Sequence, residues 1–380
     1  MVKMELLLCI SLALLCSSHA GNAEDSSLWR TWGKLARNNK LVIGYFGGSI
    51  TEGAGASDAS RTSWRALTTE WFKCHFPTAD IAEVNAAIGG TGSELGAFRC
   101  QRDLICKKQD LVFVEFAVND SKSPEPKVVS SIEGIVRQIL AGNPETEIVF
   151  VYTTMRDAEK YSEGEELRSV SYHQRVADHY GIPSINVGKA LRTAILEGRA
   201  TWESMTKDGT HPLDAGYSLY AGKVCEFLEA HIGDMPSPAE SVLPRALSDN
   251  PMETAKMLDG WSANAPSWNR EDISLANRFP HRLTSCVPGA ELTVPFSGSV
   301  IGVYWLVARD SGNIEYSIDG GPLRTVSSWD QYALQSDRAN YRILEDGLPQ
   351  GQHLLMLRVS ETKAEQSAGN WIRIGAFLSR

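Results

Sequence analysis

The chain has 380 residues, 43% hydrophobic and 22% charged, which exceeds one ordinary core and argues against extensive disorder, so two domains are expected. Thirty-seven Lys and Arg stand against 46 Asp and Glu, a formal net charge of −9. With no dense basic cluster, the chain lacks the electrostatic footprint of a nucleic-acid binder. Nothing in the sequence specifies an oligomeric state.

Residues 1–20 read as a cleavable secretory signal peptide, with Lys3 ahead of an apolar stretch over 6–15 and Ser18-His19-Ala20 at the cleavage positions. The apolar stretch is too short to span a bilayer, and no later segment is apolar enough to do so. A secreted or periplasmic location follows. Cleavage would leave Cys74, Cys100, Cys106, Cys225 and Cys286. Their odd number leaves a thiol unpaired within the chain. A Cys100–Cys106 bridge and five buried structural thiols are the two readings.

A short helix is expected between 22 and 40. Apolar, partly β-branched runs then recur at 41–46, 81–85, 111–117, 147–152 and 182–187. Segments of helical period separate them at 61–75, 93–107, 127–141, 165–180 and 188–198, and a last helix covers 215–231. Strands apolar throughout, alternating with helices, predict an α/β unit with a parallel sheet covered on both faces. Its ligand site should lie beyond the carboxyl ends of the strands. Residues 21–235 make this unit. Pro236, Pro238 and Pro244 mark a linker over 236–257. From 258 to 380 short alternating runs take over, at 291–296, 300–308, 313–318, 324–328, 341–344, 353–359 and 371–378. Seven strands without helices predict an all-β, jelly-roll-like antiparallel sandwich. Trp261, Trp268, Trp305, Trp329 and Trp371 lie there. Aromatic faces suit sugar rings, but most of these are expected to fill the core.

The strand ends carry the chemistry. Residues 41–58, LVIGYFGGSITEGAGASD, deliver Ser49 to an exposed turn. The second strand runs into Gly89-Gly90, the third into Asn119-Asp120, and Asp208-Gly209-Thr210-His211-Pro212 precedes the final helix. Ester hydrolysis needs a hydroxyl, a neutral imidazole within hydrogen-bond reach and a carboxylate to orient it. Ser49, His211 and Asp208 supply that set. The oxyanion needs donors held in advance, and the Ser49 and Gly90 N–H groups with the Asn119 amide are available. Each piece alone is a common turn; the four in order are a strong signal.

These blocks resemble the SGNH (GDSL-like) hydrolases, which implies a flavodoxin-like three-layer fold. The first block reads Gly47-Gly48-Ser49, with Gly48 where the family has Asp. The resemblance carries the nucleophile onto Ser49, the oxyanion groups onto Ser49, Gly90 and Asn119, and acid and base onto Asp208 and His211. It covers about the first 235 residues. The form FGGSITEGAGAS and the attached sandwich look like the carbohydrate-esterase branch, implying an acylated, foremost O-acetylated, oligo- or polysaccharide substrate. A lipid or thioester acyl hydrolase with the same residues, and a non-catalytic glycan-binding protein, are the alternatives. Spacing excludes an α/β-hydrolase elbow, since Thr51 stands at the final Gly position of Gly-x-Ser-x-Gly.

Glu52, beside the nucleophile, and Arg156 and Asp157, after the fourth strand, are candidates for substrate contact; solvated loop charge is the other reading of the last two. Tyr172, His173 and His179 are expected to pack or face solvent. Without CxxC, HExxH or a histidine cluster, neither a catalytic metal nor a cofactor is expected.

Overall fold

The computed structural model describes residues 28–163, 166–234, 243–273, 275 and 278–380. The signal peptide expected over 1–20 and residues 236–242 of the expected linker lie outside the described residues.

The first unit is a five-stranded parallel sheet: β1 (Lys40–Gly47), β2 (Asp80–Asn85), β3 (Leu111–Glu115), β4 (Glu147–Tyr152) and β5 (Ser184–Asn186). Their order is β2-β1-β3-β4-β5, the flavodoxin-like arrangement. Among the described residues, seven helices longer than a single turn accompany the strands: α1 (Trp29–Asn38), α2 (Trp64–His75), α3 (Ser93–Asp103), α4 (Glu125–Gly142), α5 (Arg168–Tyr180), α6 (Val187–Leu196) and α7 (Asp214–Ala230). The strand alternation divides the core. Leu111 and Phe113 join α1, α2, α6 and α7, whereas Val112 and Val114 join α3, α4 and α5. Both faces are buried, which explains the unbroken apolar runs.

The second unit has two antiparallel sheets. One contains β6 (Lys256–Asp259), β7 (Asn269–Asp272), β8 (His281–Ser285), β10 (Val300–Val307), β13 (Arg338–Asp346) and β15 (Ile372–Ser379), ordered β13-β10-β15-β8-β7 with β6 also on β15. The other contains β9 (Glu291–Ser297), β11 (Asn313–Ile318), β12 (Arg324–Ser327) and β14 (Gln352–Val359), ordered β9-β14-β11-β12. Seven strands were expected, and β6, β7 and β8 correct that number. Asn269–Asp272 reads NRED and is largely exposed, so backbone pairing with β8 defines it rather than apolar alternation.

Alternation also fails at β10, for a physical reason. Ile301, Val303, Trp305 and Val307 point into the sandwich core, while Val300, Tyr304 and Leu306 join the α3–α4 core of the first unit. A strand buried on both faces has no polar side to show. Phe279 packs edge-on against Tyr304, 5.3 Å between centroids, a contact worth about 1 kcal/mol beyond area burial. The segment after the described gap is strapped to α4. Met252 is buried, its carbonyl accepts from Gln138 Nε2 at 2.8 Å, and Glu133 accepts the Ser248 N–H at 2.8 Å. Residues 247–255 are thus packed rather than loose.

The five cysteines among the described residues are free thiols, Cys100 buried and Cys74 and Cys106 exposed. Neither the bridge nor uniform burial is found, because Cys100 points into the α3 core while Cys106 lies on the short helix after it. Of the tryptophans, Trp268 and Trp305 are buried, Trp261 and Trp329 pack on the same core from its rim, and Trp371 is half-buried beneath Arg373.

Candidate active site

In this sheet order the chain reverses direction of winding between β1 and β3, opening a crevice at their carboxyl ends. Ser49 follows β1 and begins a single helical turn, Ser49–Glu52. Asn119 lies on the corresponding turn after β3, Ala117–Asp120. The two turns touch. A Cβ on Gly48 would stand 2.0 Å from Asn119 Oδ1, so the carboxamide occupies the space any side chain at 48 would need. Gly48 thus leaves room for the Asn119 carboxamide beside the Ser49 backbone.

Asp208 and His211 arrive from the turn before α7. Ser49 Oγ lies 2.8 Å from His211 Nε2, and His211 Nδ1 lies 2.7 Å from Asp208 Oδ2. The pattern fits a ring whose Nδ1–H donates to the carboxylate, leaving Nε2 to accept from the serine hydroxyl. Asp208 Oδ1 also accepts the N–H groups of Thr210 and His211 at 3.0 and 2.9 Å. Burial pulls the carboxyl upward, but these N–H groups and the imidazole outweigh it and lower the pKa to about 2. The turn is held against the serine loop at Gly55, whose φ is +94°. A Cβ there would come within 2.5 Å of the Pro212 carbonyl oxygen. Tyr217, on α7, donates to the Ile50 and Ala54 carbonyls at 3.0 and 2.8 Å. One helix thus adjoins the His211 turn and anchors the Ser49 loop.

Gly90 is exposed, with φ +74° and open space on its outer side. Its turn is tied to β1 by the Ile88 N–H, which donates to the Gly47 carbonyl at 3.1 Å. Sequence reasoning passed over the groups that join these turns. Arg99 is fully buried, stacks 4.3 Å over Phe46, and donates to the carbonyls of Gly47 and Ala86. It ties the ends of β1 and β2 together just before Ser49 and the glycine turn. Burial lowers its pKa, opposed by Asp103. Glu115, at the end of β3 and also fully buried, accepts from Thr51 at 2.9 Å and Thr153 at 2.8 Å. Burial pushes its carboxyl above the usual range. Asp120 accepts the Ser93 N–H and pairs with His173 Nε2, both at 2.9 Å. His173 is therefore a buried support for the Asn119 turn. Such contacts join residues up to 64 positions apart and leave no local pattern.

The candidate substrate contacts fall differently. Glu52 Oε2 accepts the Gly89 N–H at 2.8 Å and Oε1 faces Arg278 at 3.4 Å, so its carboxylate has partners within the protein. The Arg156 N–H donates to the Gly209 carbonyl at 2.7 Å, supporting the Asp208–His211 turn from behind, and its guanidinium pairs with Glu203. Asp157 is exposed on the same short helix.

Residues 45–219 match the model of the GDSL-like lipase/acylhydrolase family. Over 94% of this chain and 96% of the other, the fold is similar to that of a two-domain esterase (CEX) active on acetylated mannans. The structure of that esterase with mannopentaose gives a TM-score of 0.80 at 24% identity, and a second structure of it gives 0.82 at 24%. At this identity the likeness shows a shared two-unit fold. No curated protein matches the sequence. Over residues 45–219 the chain is therefore similar to the GDSL-like lipases/acylhydrolases, and this match supports an esterase acting on carboxylic ester bonds.

Proposed function

We propose that the protein is a secreted serine esterase that removes acyl groups, acetyl foremost, from carbohydrate. The reading rests on one observation above the others: the 2.8 Å and 2.7 Å contacts that link Ser49 to His211 and His211 to Asp208. In this mechanism Ser49 Oγ attacks the ester carbonyl while His211 Nε2 takes its proton. Asp208 keeps the ring oriented and offsets the imidazolium charge. The Ser49 and Gly90 N–H groups and the Asn119 amide hold the oxyanion. The tetrahedral intermediate collapses as His211 returns the proton to the departing sugar hydroxyl. Water, deprotonated by the same imidazole, then releases the acid and restores Ser49. Acetylated mannan is the first substrate to try, because the esterase that shares this two-unit fold acts on it. Secretion rests on the N-terminal sequence.

The test is acetate release from a model aryl acetate and from a panel of acetylated polysaccharides. Ser49→Ala should abolish both without changing the melting temperature; unchanged turnover would sink the assignment. An aryl ester series should peak at acetyl, and a maximum at octanoyl or longer would move the substrate to lipid.

A further inference from the structure

Arg278 enters the esterase site from the second unit. It lies in sequence between β7 and β8, one residue before Phe279, which is 1% exposed. Phe279 is wedged between Tyr304 and Gly375, where an added Cβ would meet its ring at 2.3 Å. The Arg278 N–H donates to the Leu275 carbonyl at 3.0 Å. A buried neighbour and a backbone hydrogen bond thus fix where the arginine begins. Its Nη1 reaches Glu52 Oε1 at 3.4 Å, the two side chains 24% and 29% exposed. Glu52 Oε2 in turn accepts the Gly89 N–H. The Cβ position of Gly89 lies 3.4 Å from Ser49 Cβ and 3.7 Å from Arg278 Nη2, so these contacts run alongside the nucleophile.

We propose that Arg278 is a positioning residue for ester hydrolysis, acting through Glu52 to hold the Gly89–Gly90 turn so that the Gly90 N–H is aimed in advance at the oxyanion. The inference rests on the reading of Gly90 as an oxyanion donor. Two physical effects support it. A Gly-Gly turn open to solvent has more conformational freedom than any other dipeptide, and donors stabilise a transition state best when they need no reorganisation. Charge adds to this. The Glu52 carboxylate lies one peptide from Gly90, where negative charge develops during attack, and an uncompensated carboxylate there opposes that charge. Arg278 offsets it. The sandwich thereby completes the electrostatics of the first unit's site.

Aryl acetate kinetics on the full chain test this. Arg278→Gln should lower kcat roughly 10- to 100-fold with KM changed less than about 3-fold, and with the melting temperature retained. Arg278→Lys keeps the charge and should recover most of the lost rate; a Lys variant as slow as the Gln variant counts against the proposal. In a Glu52→Gln background the carboxylate is gone, so Arg278→Gln should cost little more. Unchanged kcat, an effect confined to KM, or the full loss repeated in that background would each overturn the role. Ser49→Ala is measured alongside. If Ser49→Ala is inactive and Arg278→Gln is normal, only this inference fails; if Ser49→Ala turns over, the underlying reading fails first.

Discussion

The two halves of the proposed site are built in opposite ways. The proposed acid and base sit three residues apart on one turn, and Asp208 holds His211 with contacts made entirely within that turn. Both are partly open to water, the Asp208 side chain 49% exposed and His211 29%. The proposed oxyanion half is assembled from distant parts: Gly90 after β2, Asn119 after β3, Arg99 on α3, Glu52 close to Ser49 and Arg278 from the other unit. Its supports are mostly buried. A self-contained turn can be read and altered locally, whereas the dispersed half depends on the whole fold to bring its donors together.

The sharpest way to break this comparison is to remove the orienting acid. Asp208→Asn keeps the shape of the turn but takes away the charge that fixes the ring, and kcat should fall about 10⁴-fold, the size seen when a triad acid is replaced in this way. Stability should change little, because the carboxylate is half in water. Steady-state kinetics and a melting curve check both. A variant that lost its fold would show that the turn is not self-contained.

The oxyanion half should behave as a coupled set. Asn119→Ala should cost roughly 10²–10³ in kcat if the amide serves as a donor. Gly48→Ala should act on the same group from the other side. The added Cβ meets the far end of the Asn119 side chain, which can swing away, so the cost falls on the donor more than on folding. A loss of similar order is expected, and the double variant should be no worse than about 3-fold below Asn119→Ala alone. Additive losses would mean that Gly48 matters for some reason other than making room for the amide.

This difference also explains how much the sequence disclosed. Ser49, Asn119, Asp208 and His211 stand at strand ends or on a short turn, where Gly, Asn and Asp punctuate an apolar rhythm, so residue type and position both show. The parallel sheet was equally legible, because strands buried on both faces are apolar without interruption. The same rule misled at β10, expected to alternate. Its second face is covered by the first unit, and only the assembled molecule reveals that cover. Strands such as β7, charged and exposed, follow from pairing partners rather than from their own residues. Arg99, Glu115 and Arg278 carry ordinary charges in ordinary sequence contexts. Their meaning comes from what tertiary structure places beside them.

The smallest expected effect separates the two halves by pH. Asp208 has its pKa lowered from the ordinary 3.8 to about 2 by bonds that form only in the folded turn. A carboxylate with a depressed folded pKa adds stability above its unfolded value, and that contribution disappears as the pH falls through the folded value. The window is therefore about pH 4 down to 2. Half the side chain faces water, so after screening the contribution is about 1 kcal/mol or less. Denaturant melts between pH 5 and 2 should show the wild type losing slightly more stability than Asp208→Asn across that window. Glu115 offers the contrast, since burial raises its pKa and a raised carboxyl reverses the sign. Protonation of Glu115 on acidification removes a desolvation cost rather than a bond. Parallel curves for wild type and Asp208→Asn would show that the Asp208–His211 turn holds its carboxylate no more tightly than the unfolded chain does.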